Sequence, residues 1–466
     1  MMNSIRLPRV MLAASSSGGG KTTAMCALLK VLEMRGVKAS ACKCGPDYID
    51  PMFHRKVMGV PSVNLDLFFS DAETVKYLMA QNARNSDITV IEGVMGYYDG
   101  MSMSGAEASS YDIARKTGTP VILVMPCRGA AYTLAAVIRG IAEFKSDSNI
   151  QGIILNNISE MTYKALKGII EKETGIRVAG FLPRLDNLEF KSRHLGLVTP
   201  QDAEGVDKIL EHLGKTAIKT LDLDMIFKIA AEAPDIEVIR PEIKEIAHGI
   251  KIGIAYDKAF CFYYSENIEL LEEMGCEIKY FSPINDAELP EEVDGLILGG
   301  GYPELYAKEL SENISMIDSV RKAIRNGIPC IAECGGFMYL HEYFEDNDKN
   351  EYRGVGIIEG KAFKTDKLVR FGYIDITANE NSVLLNKGEN IRGHEFHYWD
   401  STDNGCACTA VKPSGTRSWK CVHSEEGLFA GFPHVYFYSN PKTAVNFINA
   451  CMRYSGKKHE RIHKND

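Results

Sequence analysis

VMLAASSSGGGKTTAMCALLKVL, residues 10–32, passes from an apolar run through a block of serines and glycines into a segment with helical spacing. A phosphate-binding loop requires that succession. Backbone N–H groups of small residues face one anion, a lysine reaches its outer oxygens, and a hydroxyl serves a magnesium ion. Residues Ser15 to Thr22 supply these parts. Against the pattern G-x-x-x-x-G-K-[ST], Gly20, Lys21 and Thr22 match, while Ser15 stands in place of the first glycine. Ser17, Gly18, Gly19 and Thr23 complete the candidate nucleotide-binding set. A glycine turn with an incidental lysine is the plain alternative, and the strand-to-helix setting disfavours it.

The same rhythm continues outward. VKASACK (37–43), DITVIEG (87–93), PVILVM (120–125), IQGIILN (150–156) and RVAGFL (177–182) alternate with helix-patterned stretches. This predicts an α/β domain, a parallel sheet wrapped by helices, over residues 1–215. KIAAEAPDIEVIRPEIKEIAHGI (228–250) has two prolines, many charges and no sustained apolar stripe, which places a linker at 216–249. KIGIAYD (251–257), EIKYFSP (277–283), DGLILGG (294–300) and PCIAEC (329–334) restore the pattern and predict a second α/β domain over 250–455. Shorter extended runs, KLVRFGYIDITA (367–378) and GHEFHYWD (393–400), predict an antiparallel addition to it. Residues 456–466 read as a flexible, solvated tail.

With 466 residues and 45% hydrophobic content, the chain can bury a core in each domain. Its 62 acidic residues outnumber 53 basic ones for a net charge of -9, which argues against nucleic acid as a partner. No apolar run approaches the roughly 20 residues that span a bilayer, and no basic start precedes an apolar stretch. A soluble, cytoplasmic protein is expected. Twelve scattered cysteines fit reduced thiols better than a disulfide framework. The Cys42/Cys44 and Cys406/Cys408 pairs lack partners at zinc-finger spacing.

A nucleotide in the loop calls for acids at neighbouring strand ends to complete a metal site. Asp47 and Asp50 follow the second strand in CGPDYIDPMFH, and Glu92 and Asp99 stand in EGVMGYYDG. Lys43, at the end of the second strand, is placed to hold a carboxylate or phosphate. Taken singly, each acid is more often a turn former or helix cap.

A second chemistry stands at PCIAECGG. Cys334 follows a strand and precedes Gly335 and Gly336, so the chain can turn sharply and leave the thiol at a helix start, a position that favours thiolate. Gly299 to Gly301 close the preceding strand, and their N–H groups are candidates to face an oxyanion, Gly300 and Gly301 foremost. The base is assigned to His434 in FAGFPHVYFYSNP, with His394 and His397 of RGHEFHYWD as alternatives.

Together these residues resemble the cobyrinate a,c-diamide synthases, ATP- and glutamine-dependent amidoligases of corrinoid biosynthesis. The resemblance covers nearly the whole chain through SSSGGGKTT, KCGPDYIDPMFH, EGVMGYYDG, RHLGLVTP, DKAFCFYYSENIELLEEMG, LGGGYPEL, AECGGFMYL and RGHEFHY, in that order. It implies an N-terminal domain similar to dethiobiotin synthetase and a C-terminal domain similar to class I glutamine amidotransferases. It further implies that Cys334 attacks the glutamine amide with His434 handling the proton, while ATP and Mg2+ activate a corrinoid carboxylate as an acyl phosphate. Lys21 and Thr22 match ATP and magnesium positions, and Asp47 and Glu92 match metal or phosphate ligands. Asp50 and Asp99, with Lys43, go to the substrate or intermediate. The third acid that other amidotransferases carry two residues after the histidine is replaced by Tyr436, which puts a full triad in doubt.

The same motifs admit a Ni-sirohydrochlorin or hydrogenobyrinate a,c-diamide synthase, and a homodimer is left open. A nucleotide-dependent switch is the reading of a different class, disfavoured by the intact AECGG and GFPH. Tyr97, Tyr98 and the run Phe260–Tyr264 are candidates to pack on a flat macrocycle, with hydrophobic core as the commoner use of such residues.

Overall fold

The computed structural model describes residues 2–184 and 200–462. Residues 193–199 of the RHLGLVTP motif and the last four residues of the expected tail lie outside them. The chain divides into two compact units, Met1–Pro241 and Glu242–Asp466.

Among its described residues the first unit holds nine strands: β1 Met2–Ile5, β2 Arg9–Ala14, β3 Ala39–Cys44, β4 Ser62–Leu65, β5 Ile88–Glu92, β6 Val121–Pro126, β7 Ile150–Asn156, β8 Arg177–Leu182 and β9 Ile236–Ile239. Seven of them form one sheet in the order β4-β3-β5-β2-β6-β7-β8, with every neighbouring pair parallel. The apolar runs are continuous because both faces are covered. Along the central strands Met11, Ala13, Ile91 and Leu123 pack into one core, and Val10, Leu12, Val90 and Ile122 into the other. The helix Lys21–Met34 covers the second face together with Pro200–Thr220. Parallel order carries the ends of β2, β3, β5 and β7 to one rim, where a ligand crevice belongs.

The segment expected as a linker, 216–249, belongs mostly to the first unit. Leu223–Ala231 is a helix whose Leu223, Met225, Ile226 and Ile229 are buried, with Asp222 accepting from Met225 N at 3.0 Å as its cap. Strand β9 pairs with β1, antiparallel. A nine-residue helix and a four-residue edge strand are too short for periodicity to stand out among charges. Beyond Pro241, Ile246 and Ala247 both donate to Met274 O at 3.0 Å and so belong to the second unit.

In the second unit, β10 Lys251–Ala255, β11 Phe260–Phe262, β12 Glu277–Phe281, β13 Gly295–Leu298, β14 Gly300–Gly301 and β15 Cys330–Glu333 precede the elbow. The parallel sheet runs β12-β10-β13-β15 and ends on the strand Leu428–Gly431. Beyond residue 355, Ile358–Lys364 and Trp399–Ser401 join a separate four-stranded sheet, and the remaining extended runs form an antiparallel five-stranded one. Its order is Ser418–Cys421, Cys408–Val411, Arg370–Ala378, Asn390–His397 and His434–Val435. The final helix runs Lys442–Ile462, into the stretch read as tail. Tyr97, Phe260 and Tyr264, candidates for macrocycle packing, are buried to 2%, 0% and 3% exposure and serve as core. Among the described residues, no helix is long and apolar enough to cross a membrane.

Candidate active sites

The loop leaving β2 opens the helix Lys21–Met34 with Gly20 as its cap. Gly18 and Gly20 take left-handed φ values of 73° and 97°, whereas Ser15 does not, so the backbone makes no demand for glycine at the first motif position. At Gly20 glycine is favoured twice, by φ 97° and because a Cβ there would lie 1.9 Å from Asn156 Nδ2. Asn156 closes β7 and donates to Gly19 O at 3.3 Å, bracing the loop from a neighbouring strand. Lys21 is 7% exposed and donates to Ser16 O at 3.2 Å and Met95 O at 2.5 Å. Burial, and then the charge of Lys43, hold its ammonium pKa down to about 8.

Thr22 Oγ1 donates to Glu92 Oε1 at 2.6 Å. Lys43 Nζ lies 2.9 Å from the same oxygen and 2.5 Å from Asp50 Oδ2. These contacts join the helix start, the ends of β3 and β5, and the first turn of the helix Ile49–Lys56 into one cluster. Burial opposes the charge on Lys43, but Asp50 and Glu92 outweigh it and hold its pKa well above the ordinary lysine range. Burial likewise opposes ionisation of Asp50, and Lys43 outweighs it, so that carboxyl is lowered. Glu92 is pushed up to about 7, first by burial and then by Asp50. Asp47, pushed up to about 6 by burial and then Asp50, joins the cluster by accepting from Asp50 N at 3.0 Å. Asp99 sits apart from it, accepting from Gly96 N at 2.9 Å and lending negative charge toward Lys21.

Behind Glu92 stands His54, which sequence reasoning passed over. Its Nε2 lies 3.9 Å from Glu92 Oε2, and both atoms are buried without a hydrogen-bond partner. Burial holds the imidazole down to about 4, so it is neutral. The donors around Thr22 fit Mg2+ rather than a softer ion: a hydroxyl and carboxylates, with one buried Glu92 oxygen uncommitted. Among the described residues no three acids, imidazoles or thiols converge as a closed cage. An incomplete hard-oxygen set that leaves positions to phosphate and water is the usual magnesium arrangement.

In the second unit, Cys334 caps the helix Gly335–Leu340 with φ 47° and ψ -98°, a strained conformation for a residue with a Cβ. Its N–H donates to Gly431 O at 2.8 Å, and Gly336 N donates to Gly299 O at 2.9 Å, which pins the elbow between two parallel strands. Six residues make a short helix with a weak dipole, so the positive charge near the thiol comes from an imidazole instead. His434 is hydrogen-bonded to Cys334 and lies in ion-pair contact with Glu333. Burial alone would lower its pKa, but those two partners outweigh burial and raise it to about 10. Its Nδ1 lies 3.3 Å from Glu333 Oε2.

The histidine alternatives stand elsewhere. His394 pairs across the ladder with His434 and is held to about 3 by burial, then by the charge of His434. His397 contacts Glu395 Oε2 at 3.1 Å and Trp399 O at 2.6 Å, and its ring stacks on Phe432 at 4.0 Å.

Of the three glycines considered for an oxyanion, Gly299 is committed, because its N–H donates to Tyr263 OH at 2.8 Å. Gly300 runs beneath the imidazole, where a Cβ would meet His434 Cε1 at 2.3 Å. Gly301 N faces Gly335, a Cβ on which would come to 3.2 Å from it. Glu333, Gly335, Asn156 and His54 are the site residues that motif reading left unassigned. The first two flank Cys334 in the quoted AECGG, so their only signal was adjacency.

Two family models match the chain: a CobB/CobQ-like glutamine amidotransferase domain over residues 251–442 and an AAA domain over residues 67–192. A cobyrinate a,c-diamide synthase of Caldanaerobacter subterraneus subsp. tengcongensis is 39% identical over 451 residues, covering 96% of this chain and 99% of that one. The enzyme of the same name from Thermoplasma volcanium is 38% identical over 466 residues, with 97% and 99% covered. That of Fusobacterium nucleatum subsp. nucleatum is 41% identical over 448 residues, with 93% and 98% covered.

Proposed function

The chain belongs to the cobyrinate a,c-diamide synthase family, and from that premise we propose that it amidates the a and c carboxylates of cobyrinate in cobalamin biosynthesis, using ATP and ammonia from glutamine. The observation that carries this reading is similarity over nearly the full length of such synthases in a chain that holds both a Thr22–Glu92–Lys43 cluster and a Cys334–His434 pair.

At the second unit, His434 takes the proton from Cys334 Sγ, and the thiolate adds to the side-chain amide carbon of glutamine. Backbone N–H groups at Gly300 and Gly301, with that of Gly335, hold the oxyanion of the tetrahedral intermediate. His434 returns the proton to the departing ammonia, and water clears the thioester as glutamate.

At the first unit, read as similar to dethiobiotin synthetase, Lys21 and the N–H groups of Ser17 to Gly20 hold the phosphates of ATP, with Thr23 on the first helical turn. Thr22, Asp47 and Glu92 are the residues that would hold Mg2+, which supplies charge neutralisation during phosphoryl transfer. Lys43, Asp50 and Asp99 face the substrate carboxylate. A carboxylate is too poor an electrophile for ammonia, so phosphorylation to the acyl phosphate precedes amide formation.

Mass spectrometry on cobyrinate, Ni-sirohydrochlorin and metal-free hydrogenobyrinate, each with glutamine, ATP and Mg2+, tests the reading. Two successive carboxylate-to-amide conversions with preference for cobyrinate are expected. Preference for the nickel compound would keep every residue role and change the macrocycle, and no amidation of any would overturn the reading.

A further inference from the structure

We infer that Glu333, the residue immediately before the nucleophile, is the acid that positions His434 for glutamine hydrolysis, replacing the carboxylate that Tyr436 does not provide. This rests on the glutaminase reading of Cys334 and His434. The position two residues past the histidine is closed to the task, because Tyr436 is 1% exposed and its OH donates to the buried Glu266 at 3.1 Å. Glu333 comes to the imidazole from the opposite direction. It ends β15 in register with Gly431 on the adjacent parallel strand, three residues short of His434 in the chain. Parallel pairing therefore delivers both side chains to one rim.

Both carboxylate oxygens are held. Oε2 lies 3.3 Å from His434 Nδ1, and Oε1 accepts from Val435 N at 3.0 Å. The backbone of the histidine's own strand thus fixes the acid that faces the histidine's ring. A carboxylate in ion-pair contact with Nδ1 favours the proton on that nitrogen, the tautomer that leaves Nε2 to take the thiol proton, and it stabilises the imidazolium that forms. Other groups facing the imidazole do not compete for this role. Cys334 is the reaction partner, and His394 across the ladder is kept neutral by burial. Tyr263, which faces Glu333, is held protonated by burial. Gly300 lets the ring approach the strand beneath it.

The test compares the full-length enzyme with Glu333→Gln and Glu333→Asp, and with Cys334→Ala as reference. Glu333→Gln keeps an acceptor for Val435 N and removes the charge, which preserves the fold. Two experiments are read: the kinetics of glutamine turnover, kcat and KM, with ATP, Mg2+ and cobyrinate present, and the pH profile of Cys334 alkylation by iodoacetamide. Glu333→Gln is expected to lower kcat about 100-fold or more with KM for glutamine within about threefold. The rise of its alkylation profile should move to higher pH, because an imidazole without its carboxylate supports the thiolate less well. Glu333→Asp should recover part of both effects.

A Glu333→Gln enzyme whose kcat falls while its alkylation profile stays in place would make the residue merely structural and overturn the proposal. Unchanged kcat would do the same. Glutamine turnover that survives Cys334→Ala would instead overturn the glutaminase reading on which the proposal stands.

Discussion

Thr22 Oγ1 donates to Glu92 Oε1 at 2.6 Å, a contact between residues 70 positions apart in the chain. It exists because β5, which Glu92 ends, lies beside β2, which feeds the loop. The hydroxyl and the acid proposed to hold the metal are therefore one hydrogen-bonded unit. Glu92→Gln keeps acceptors for Thr22 and Lys43 but removes the charge. The Mg2+ concentration giving half-maximal amidation should rise about tenfold or more, with either glutamine or ammonium as nitrogen source. An unchanged magnesium titration would remove Glu92 from the metal site.

The two reactive clusters stand in separate units, and their loss should separate in assay. Cys334→Ala is expected to abolish glutamine-dependent amidation and to leave amidation supported by ammonium salts. Lys21→Ala should remove both, since no nitrogen source bypasses activation of the carboxylate. Amide yield per enzyme, measured with each nitrogen source, decides the matter. Failure of ammonium to support folded Cys334→Ala would sink the division of labour.

Gly20→Ala should be severe although it adds one methyl group. The new Cβ would meet Asn156 Nδ2 at 1.9 Å, and φ 97° lies outside the range that residues with a Cβ adopt at low cost. Strain of about 1–3 kcal/mol is expected, and the loop relieves it by distorting. Nucleotide affinity should fall at least about tenfold by equilibrium titration. Adding Asn156→Ala should recover only part of the loss, because it removes the clash and not the backbone strain. Full recovery in the double variant would place the whole cost in the clash.

The nucleotide loop, the acids after β3 and β5, and the cysteine elbow were legible because each motif is contiguous and sits where an apolar run ends. Asn156 was equally contiguous, closing the quoted IQGIILN, yet only its approach to Gly20 reveals its purpose. Glu333 hid beside Cys334, since its partner His434 lies 101 positions on and meets it through strand order. Sequence patterning has no period for such a contact. The linker expectation has a different cause: β9 buries only Ile236 and leaves Glu237 and Ile239 exposed, and its four residues carry too little pattern to outweigh Pro234 and Pro241.

The strain at Cys334 predicts a trade between stability and activity. At φ 47° and ψ -98° glycine is at ease and alanine is not. Cys334→Gly should therefore be more stable than Cys334→Ala by about 1 kcal/mol, the reverse of the order at an ordinary helical position. Both variants lose glutamine turnover, so the comparison isolates the backbone. Denaturant unfolding of the two proteins checks it. Alanine equal to or more stable than glycine would mean the elbow carries no strain.

The imidazole of His434 gives a pH dependence whose sign is fixed by its partners. Burial lowers its pKa, and its partners Cys334 and Glu333 more than restore it, to about 10 against 6.5 for the ordinary group. A proton held more tightly in the folded than in the unfolded chain contributes stability that is fully present below the unfolded value. That contribution is lost as pH rises from about 6.5 through about 10. Over this window the folded protein binds more protons than the unfolded one, so the unfolding free energy falls with pH. Calorimetric melting of the second unit's transition from pH 6 to pH 10 should show the decline, and His434→Gln should flatten it. Cys334→Ala removes one of the two partners that retain the proton and should flatten it in part. A slope identical in all three proteins would show that His434 does not hold its proton against burial. The thiol would then have to lose its proton without an imidazolium beside it, and the proton-transfer step assigned to His434 would need another base.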